Sequence, residues 1–272
     1  MTELLIHSMS AFSDIILDAL HIAEARNIVE IGTEFGGTSK LLEGYAREAG
    51  GSLSCVDPSP KQSFTDWIAG SDIAHHVAMP SLEAFATLGP TDAWLVDGDH
   101  NWYTVYHELL GIDAASQRDG KPMLVFLHDV GWPCARRDQY CAPDRIPAEF
   151  RQPYSYDGGM VPGEPGLVPD TGFRGAGSFA AALNEGGPRN GVLTAIEDFL
   201  ERKLAEGREL GFAEVPGVFG LGVVFDLDAP WSGAMADLLA PFHCNSLLAA
   251  LERNRIANYL RVIEYQDMGA GR

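Results

Sequence analysis

The chain has 272 residues, a formal net charge of −19 and no Lys/Arg run of five or more, so it is long enough for one large α/β domain and too acidic to make nucleic acid or an anionic membrane a ready partner. No apolar run reaches membrane-spanning length, and the start, Met1–His7, lacks the basic residues and long apolar stretch of a signal peptide, so a cytoplasmic protein is expected. Cys55, Cys134, Cys141 and Cys244 show no Cys-x-x-Cys spacing and read as separate reduced thiols.

Residues 10–24 repeat apolar side chains at helical spacing (Phe12, Ile15, Ile16, Ala19, Leu20, Ala23), which predicts an N-terminal helix. Ile28–Ile31 is a short buried strand running into Gly-Thr-Glu-Phe-Gly-Gly37. A helix follows, with Thr38 or Ser39 as the expected cap and Gly50-Gly51 as its stop. Leu53–Val56 is a second strand, ended by Asp57-Pro58. A weak helix at 62–69, a strand at 76–78, a short helix at 82–88, a strand at 93–96, a helix at 103–117 and a strand at 123–127 continue the alternation. Strict β/α alternation predicts a parallel sheet with helices on both faces.

The pattern breaks at Gly131. Residues 131–189 are rich in Pro, Gly, Arg and aromatics without periodicity, and are expected to form an irregular but ordered lid. Residues 190–205 are helical, and 212–215 with 221–225 read as an antiparallel hairpin across a Pro-Gly turn. The segment 229–272 is mainly helical and is a candidate interface for a homo-oligomer. The expectation is a single domain: N-terminal helix 1–24, cofactor-binding core 25–130, lid 131–189, remaining core 190–228 and helical C-terminal segment.

The chemistry gathers at two strand ends. Asp92-Ala-Trp-Leu-Val-Asp-Gly-Asp-His100 turns from apolar to acidic within one step, and Met123-Leu-Val-Phe-Leu-His-Asp129 repeats the change about thirty residues on. Open α/β sheets bind ligands outside the carboxyl ends of their strands. Asp97, Asp99, His100, His128 and Asp129 are therefore the candidate site, with a metal as one reading.

The first turn, Glu30-Ile-Gly-Thr-Glu-Phe-Gly36, is not Gly-x-Gly-x-x-Gly. A dinucleotide needs free backbone N–H groups for its pyrophosphate, and a glutamate placed there repels that anion. An ammonium group or ribose hydroxyls suit it better, and S-adenosylmethionine offers both without a phosphate. Asp57 lies roughly 20 residues on, the separation at which a strand-end carboxylate holds a ribose.

With these features the chain resembles the class I S-adenosylmethionine-dependent methyltransferases, over residues 25–130 and 190–228. The resemblance implies a Rossmann-like, seven-stranded, mostly parallel sheet closed by a C-terminal antiparallel hairpin. Leu95-Val-Asp-Gly-Asp-His100 and Phe126-Leu-His-Asp129 further resemble the macrocin, mycinamicin and novobiocin sugar O-methyltransferases, which methylate sugar hydroxyls with a divalent metal, commonly magnesium. By that resemblance Glu30, Gly32, Thr33, Gly36 and Thr38 surround the methionine part of the cofactor. Asp57 takes the ribose, Ser81 lies near adenine, Asp97 and Asp129 bind the metal, and Asp99 or His100 is the general base. Asp97 has an equal alternative, binding the cofactor amino group.

His128 departs from the resemblance, because the relatives carry an acid there. It is a ligand for a first-row ion softer than magnesium, or a base in a metal-free reaction, or a strand cap. Arg136-Arg137 is a candidate grip for an acidic substrate group against a default of solvated ion pairs. Trp132, Tyr140 and Tyr154 either stack on a substrate ring or form the insert's own core. The expected activity is methyl transfer to a hydroxyl of a small-molecule acceptor, a sugar being the candidate. The alternatives are a metal-independent N- or carboxyl methyltransferase with a His base, and an inactive cofactor-binding scaffold.

Overall fold

The computed structural model describes residues 8–269. Seven strands form one sheet in the order β3-β2-β1-β4-β5-β10-β9. They are β1 (Asn27–Ile31), β2 (Ser52–Val56), β3 (Ala74–Val77), β4 (Ala93–Val96), β5 (Leu124–His128), β9 (Leu210–Val215) and β10 (Leu221–Asp226). The first five run parallel, and β10 is antiparallel to both β5 and β9. The expected Rossmann-like sheet with its C-terminal hairpin is therefore present.

Period-2 alternation sends successive side chains to opposite faces, and both faces are covered, so the central strands read as unbroken apolar runs. Ile28, Leu53, Leu95 and Phe126 pack under α1 (Ser13–Ile22), α2 (Gly37–Ala49) and α7 (Ser232–Leu239). Val29, Trp94, Val96 and Val125 pack under α5 (Trp102–Asp119) and α6 (Val192–Ala205). The chain leaves α3 (Gln62–Ile68), α4 (Ser81–Ala84) and α8 (Ser246–Gly269) around this core. No helix among the described residues is long and apolar enough to cross a membrane. The Met1–His7 reading lies outside the described residues.

Three local expectations change. The N-terminal helix opens as a 3-10 turn, Met9–Phe12, before α1. Neither Thr38 nor Ser39 caps α2: the cap position is Gly36 in the left-handed region, and the Ser39 hydroxyl, inside the helix, donates to the Glu30 carboxylate instead. The helix expected at 82–88 is only one turn, α4.

The insert is less irregular than its composition suggested. A small antiparallel sheet, β6 (Gln139–Tyr140), β8 (Ala180–Ala182) and β7 (Tyr154–Ser155), crosses it. Its core is Tyr140, Ile146 and Ala180, with Tyr154 edge-on to Tyr140 at 5.6 Å. Trp132 meets Phe173 and Phe219 edge-on. These aromatics hold the insert together.

Candidate active site

The strand order brings the ends of β2, β1, β4 and β5 side by side, which gathers residues from four separate stretches of sequence. The turn after β1 depends on Gly32. Its φ is +83°, and a Cβ there would fall 2.1 Å from the Asp97 carbonyl oxygen. The glycine is demanded by the neighbouring strand end rather than by a ligand.

Asp57 leaves the end of β2 and reaches back to that turn. Its Oδ2 accepts from Thr33 N–H (3.0 Å), the Thr33 hydroxyl (3.0 Å) and Glu34 N–H (3.2 Å), while Oδ1 accepts from Ser59 N–H at 2.8 Å. Two backbone N–H groups of the turn, those of Thr33 and Glu34, are thus already satisfied by an internal carboxylate.

Glu30 lies beneath the turn, 2% exposed. Burial pushes its carboxyl up to about 8, against the pull of the Ser39 hydroxyl. It is therefore protonated at neutral pH, and the expected repulsion of a phosphate by a Glu30 charge does not operate. The Asp57 carboxylate against Thr33 and Glu34 disfavours a phosphate at the turn instead. Thr38 is half-buried in the first turn of α2.

At the end of β4, Asp97 faces two imidazoles. His100 Nε2 lies 2.9 Å from Asp129 Oδ2 and 3.3 Å from Asp97 Oδ1. His128 Nδ1 lies 3.2 Å from Asp97 Oδ1 and 3.3 Å from Asp129 Oδ2. Burial disfavours charge on both rings, yet the carboxylates outweigh it. His100 is held well above the usual histidine range, chiefly by Asp129, and His128 is pushed up to about 10, chiefly by Asp97. Burial would raise both aspartates too, and the imidazolium charges reverse this and hold them well below the usual carboxylate range.

The two histidines differ in their second nitrogen and in access. His128 Nε2 donates to the Val218 carbonyl at 2.9 Å, and its side chain is 1% exposed. With Nε2 donating to a carbonyl, Nδ1 alone faces the carboxylates; protonated, the ring is their counter-charge, and the neutral ring would present there the lone pair that its expected place among the metal ligands needs. His100 is 22% exposed, and one nitrogen of it, with carboxylate oxygens of Asp97 and Asp129, forms a group whose atoms all lie within 4.8 Å. Two oxygens and one imidazole nitrogen fit a first-row divalent ion such as manganese, iron or zinc better than magnesium.

Asp99, expected as an alternative base, is occupied. Its Oδ1 accepts from Cys141 N–H at 3.0 Å and its Oδ2 from the Asn101 amide at 2.7 Å. Burial raises its pKa, partly opposed by the Cys141 N–H. Together with the bond from Gln139 N–H to the His100 carbonyl, 2.9 Å, this ties the insert to the end of β4. The two arginines divide. Arg136 forms a solvent-facing ion pair with Glu197, the default reading, whereas Arg137, 1% exposed, donates to the carbonyls of Ala182 and Pro165 at 2.7 Å each. Arg137 is therefore no substrate grip, because its guanidinium is consumed in holding the insert.

One residue went unremarked in the sequence. Glu108, on the sheet-facing side of α5, is 1% exposed, and neither carboxylate oxygen has a hydrogen-bond partner. Burial pushes it up to about 8, with the Ser81 hydroxyl working in the opposite sense. The signal was there: an acidic residue between Val105, Leu109 and Ile112 on an otherwise apolar stripe.

No protein-family model and no curated protein matches the sequence. Solved structures do match in overall shape. They include an SAH-bound methyltransferase of Podospora anserina (14% identity, 82% of this chain and 81% of that one, TM-score 0.49). Others are an O-methyltransferase of Bacillus cereus in complex with SAH (15%, 80% and 81%, 0.46) and the O-methyltransferase TomG of Streptomyces achromogenes, involved in tomaymycin synthesis, in complex with SAM (14%, 81% and 82%, 0.47). Similarity this distant transfers no substrate, metal or site residue.

Proposed function

We propose that the chain is an S-adenosylmethionine-dependent O-methyltransferase acting on a hydroxyl of a small molecule, a natural-product sugar being the candidate acceptor, with a divalent cation at Asp97, His100 and Asp129. One observation supports the cofactor class: the Asp57 carboxylate, at the end of β2, occupies the Thr33 and Glu34 N–H groups of the first turn and would repel a phosphate placed against them. Oδ1 of Asp57 keeps an acceptor position for a ribose hydroxyl beside its bond from Ser59.

The cofactor supplies an already activated sulfonium methyl, and the cation supplies charge stabilisation for an alcohol losing its proton. The chain's own tasks follow from its geometry. Asp97 and Asp129 hold positive charge at the ends of β4 and β5. His128 stays protonated between them and fixes their orientation through the Val218 carbonyl. The insert is tied to the end of β4 through Asp99, which accepts from Cys141 N–H. Holding the acceptor oxygen against the methyl carbon then supplies much of the rate.

The close His100–Asp129 pair supports a second reading, in which His100, oriented by Asp129, takes the acceptor's proton without a metal once pH is high enough for the ring to be neutral. The test is calorimetry with SAH and NAD, followed by transfer of labelled methyl from SAM to a panel of hydroxylated sugars with and without a chelator. SAH binding with NAD excluded is the expected result; the reverse removes the proposal. Loss of transfer in chelator favours the metal-assisted form, and retention favours the His100 base.

A further inference from the structure

We infer that Glu252 of α8 is a positioning residue for the reacting centre: it holds the Val218–Phe219 peptide group so that its carbonyl faces His128. This inference rests on the reading of that centre given above.

The helix face raises the question. One turn to either side of Glu252, Leu248 packs against the core and Ile256 is buried. An apolar residue between them would continue the stripe, and a carboxylate in its place, 12% exposed, needs partners. Arg255 supplies two bonds, Nε to Oε2 and Nη2 to Oε1 at 2.6 Å each, and its guanidinium carbon lies 4.9 Å from the centre of the Phe219 ring. Oε1 also accepts from Phe219 N–H at 2.9 Å. Burial works to raise the pKa of Glu252, and Arg255 with the N–H groups of Phe219 and Val218 outweighs it and holds the group below the usual value.

Glu252 and His128 therefore grip the two ends of one peptide group. A trans peptide is planar, with its N–H and C=O pointing in opposite directions. Glu252 takes the N–H of Phe219 on one side, and the carbonyl of Val218 in the same plane accepts from His128 Nε2 at 2.9 Å on the other. Bonds at both ends of one peptide polarise and strengthen each other.

The backbone does not adopt this orientation by default. Val218 has φ +45° and Phe219 φ +65°, in the left-handed region that β-branched and bulky residues avoid. Such conformations persist where the surroundings impose them, and they gather at functional sites. Here the Phe219 carbonyl accepts from Gly131 N–H at 2.6 Å, two residues past Asp129, which fixes the following peptide. Glu252 acts on the peptide that His128 meets. Whether His128 is a counter-charge or presents its Nδ1 lone pair, its ring direction depends on that carbonyl.

The experiment is nuclear magnetic resonance of the full chain with isotope-labelled histidine. The His128 Nε2–H signal is identified by its absence in His128→Gln, and its exchange with solvent is timed. Glu252→Ala is expected to speed that exchange roughly tenfold, the equivalent of one lost hydrogen bond. Glu252→Gln, which keeps an acceptor for Phe219 N–H, is expected to stay within about threefold of wild type. Ile256→Ala loosens the same helix face and is expected to leave the signal alone. Labelled-methyl transfer to the sugar panel is expected to fall roughly tenfold or more in kcat for Glu252→Ala, with the KM for SAM within about threefold, and to recover in Glu252→Gln. An unchanged signal in Glu252→Ala, the same loss in Ile256→Ala, or a changed signal with full transfer overturns the inference and leaves the cofactor reading standing. A wild type that binds no SAH in calorimetry removes that reading and the inference with it.

Discussion

His128 donates through Nε2 to the carbonyl of Val218, 2.9 Å away and 90 residues on in the chain. That single bond turns Nδ1 toward Asp97 and Asp129, where the protonated ring is their buried counter-charge, and His100 is the more exposed imidazole of the site. The two histidines should therefore separate in a metal-binding measurement. His100→Ala is expected to weaken manganese or zinc binding by at least tenfold in a chelator competition, whereas His128→Gln, which retains a donor, weakens it less. Equal losses in both variants would place His128 among the ligands after all.

Asp129 faces both rings, and removing it leaves both to Asp97 alone. Asp129→Ala is expected to lower methyl transfer by at least ~10²-fold, the lower range for a positioned acid–base or charge-stabilising group. Labelled-methyl assays at saturating SAM provide the measurement. Transfer within a few fold of wild type would show that the carboxylate is not part of the reacting centre.

Gly32 tolerates no side chain, for two independent reasons: its φ of +83° and the Asp97 carbonyl in the volume a Cβ needs. Gly32→Ala is expected to cost more than ~2 kcal/mol in urea denaturation. Gly37, in the first turn of α2 with open space around its Cβ position, is the control. Gly37→Ala should be neutral or stabilising by up to about 1 kcal/mol.

Glu30 gives a pH signature. Burial lifts its carboxyl from the ordinary 4.5 to about 8. Between those values the folded protein keeps a proton that the unfolded chain releases, so this group lowers stability as pH rises, and the loss levels off above about pH 8. Glu30→Gln should remove up to about 1.4 kcal/mol per pH unit from the slope of stability against pH in that window. Parallel melting curves from pH 5 to pH 9 read the difference; identical slopes would mean that Glu30 is already ionised in the folded protein.

Asp138 pins the insert to the core. Its Oδ1 accepts from Trp102 N–H and Gly191 N–H at 2.7 Å each, and its Oδ2 accepts from the Tyr140 hydroxyl at 2.6 Å. Asp138→Ala strands two buried N–H groups at the starts of α5 and α6 and should cost about 2–4 kcal/mol. It should also speed limited proteolysis within 139–189. Asp138→Asn keeps one acceptor oxygen and should fall between. An alanine variant with wild-type cleavage kinetics would mean that the insert is held elsewhere.

The sheet was legible because each central strand announces itself. Ala93–Val96 is apolar throughout and ends in a carboxylate, and the Pro-Gly turn between 215 and 221 marks the closing hairpin. Asp57, Asp97 and Asp129 stand out in the sequence as candidates because a carboxylate directly after a buried strand has few structural reasons to be there, and the fold sets their strand ends side by side. Arg137 was not, since an arginine in a loop looks the same whether it meets solvent, substrate or the carbonyls of Ala182 and Pro165. Nor was the cap of α2, where Ser39 had two eligible partners and took Glu30.

The sequence alone decided which segments are strands, which are helices and where acidic groups leave the sheet, because burial periodicity and turn chemistry act over a few neighbouring residues. Tertiary structure decided what each polar group does. Whether His128 is a ligand or a counter-charge depends on a carbonyl 90 residues away. How the first turn would meet a phosphate depends on Asp57 reaching back across 24 residues to Thr33. Hydrogen bonds and ion pairs are fixed by distance in space, and that distance exists only once the sheet has closed.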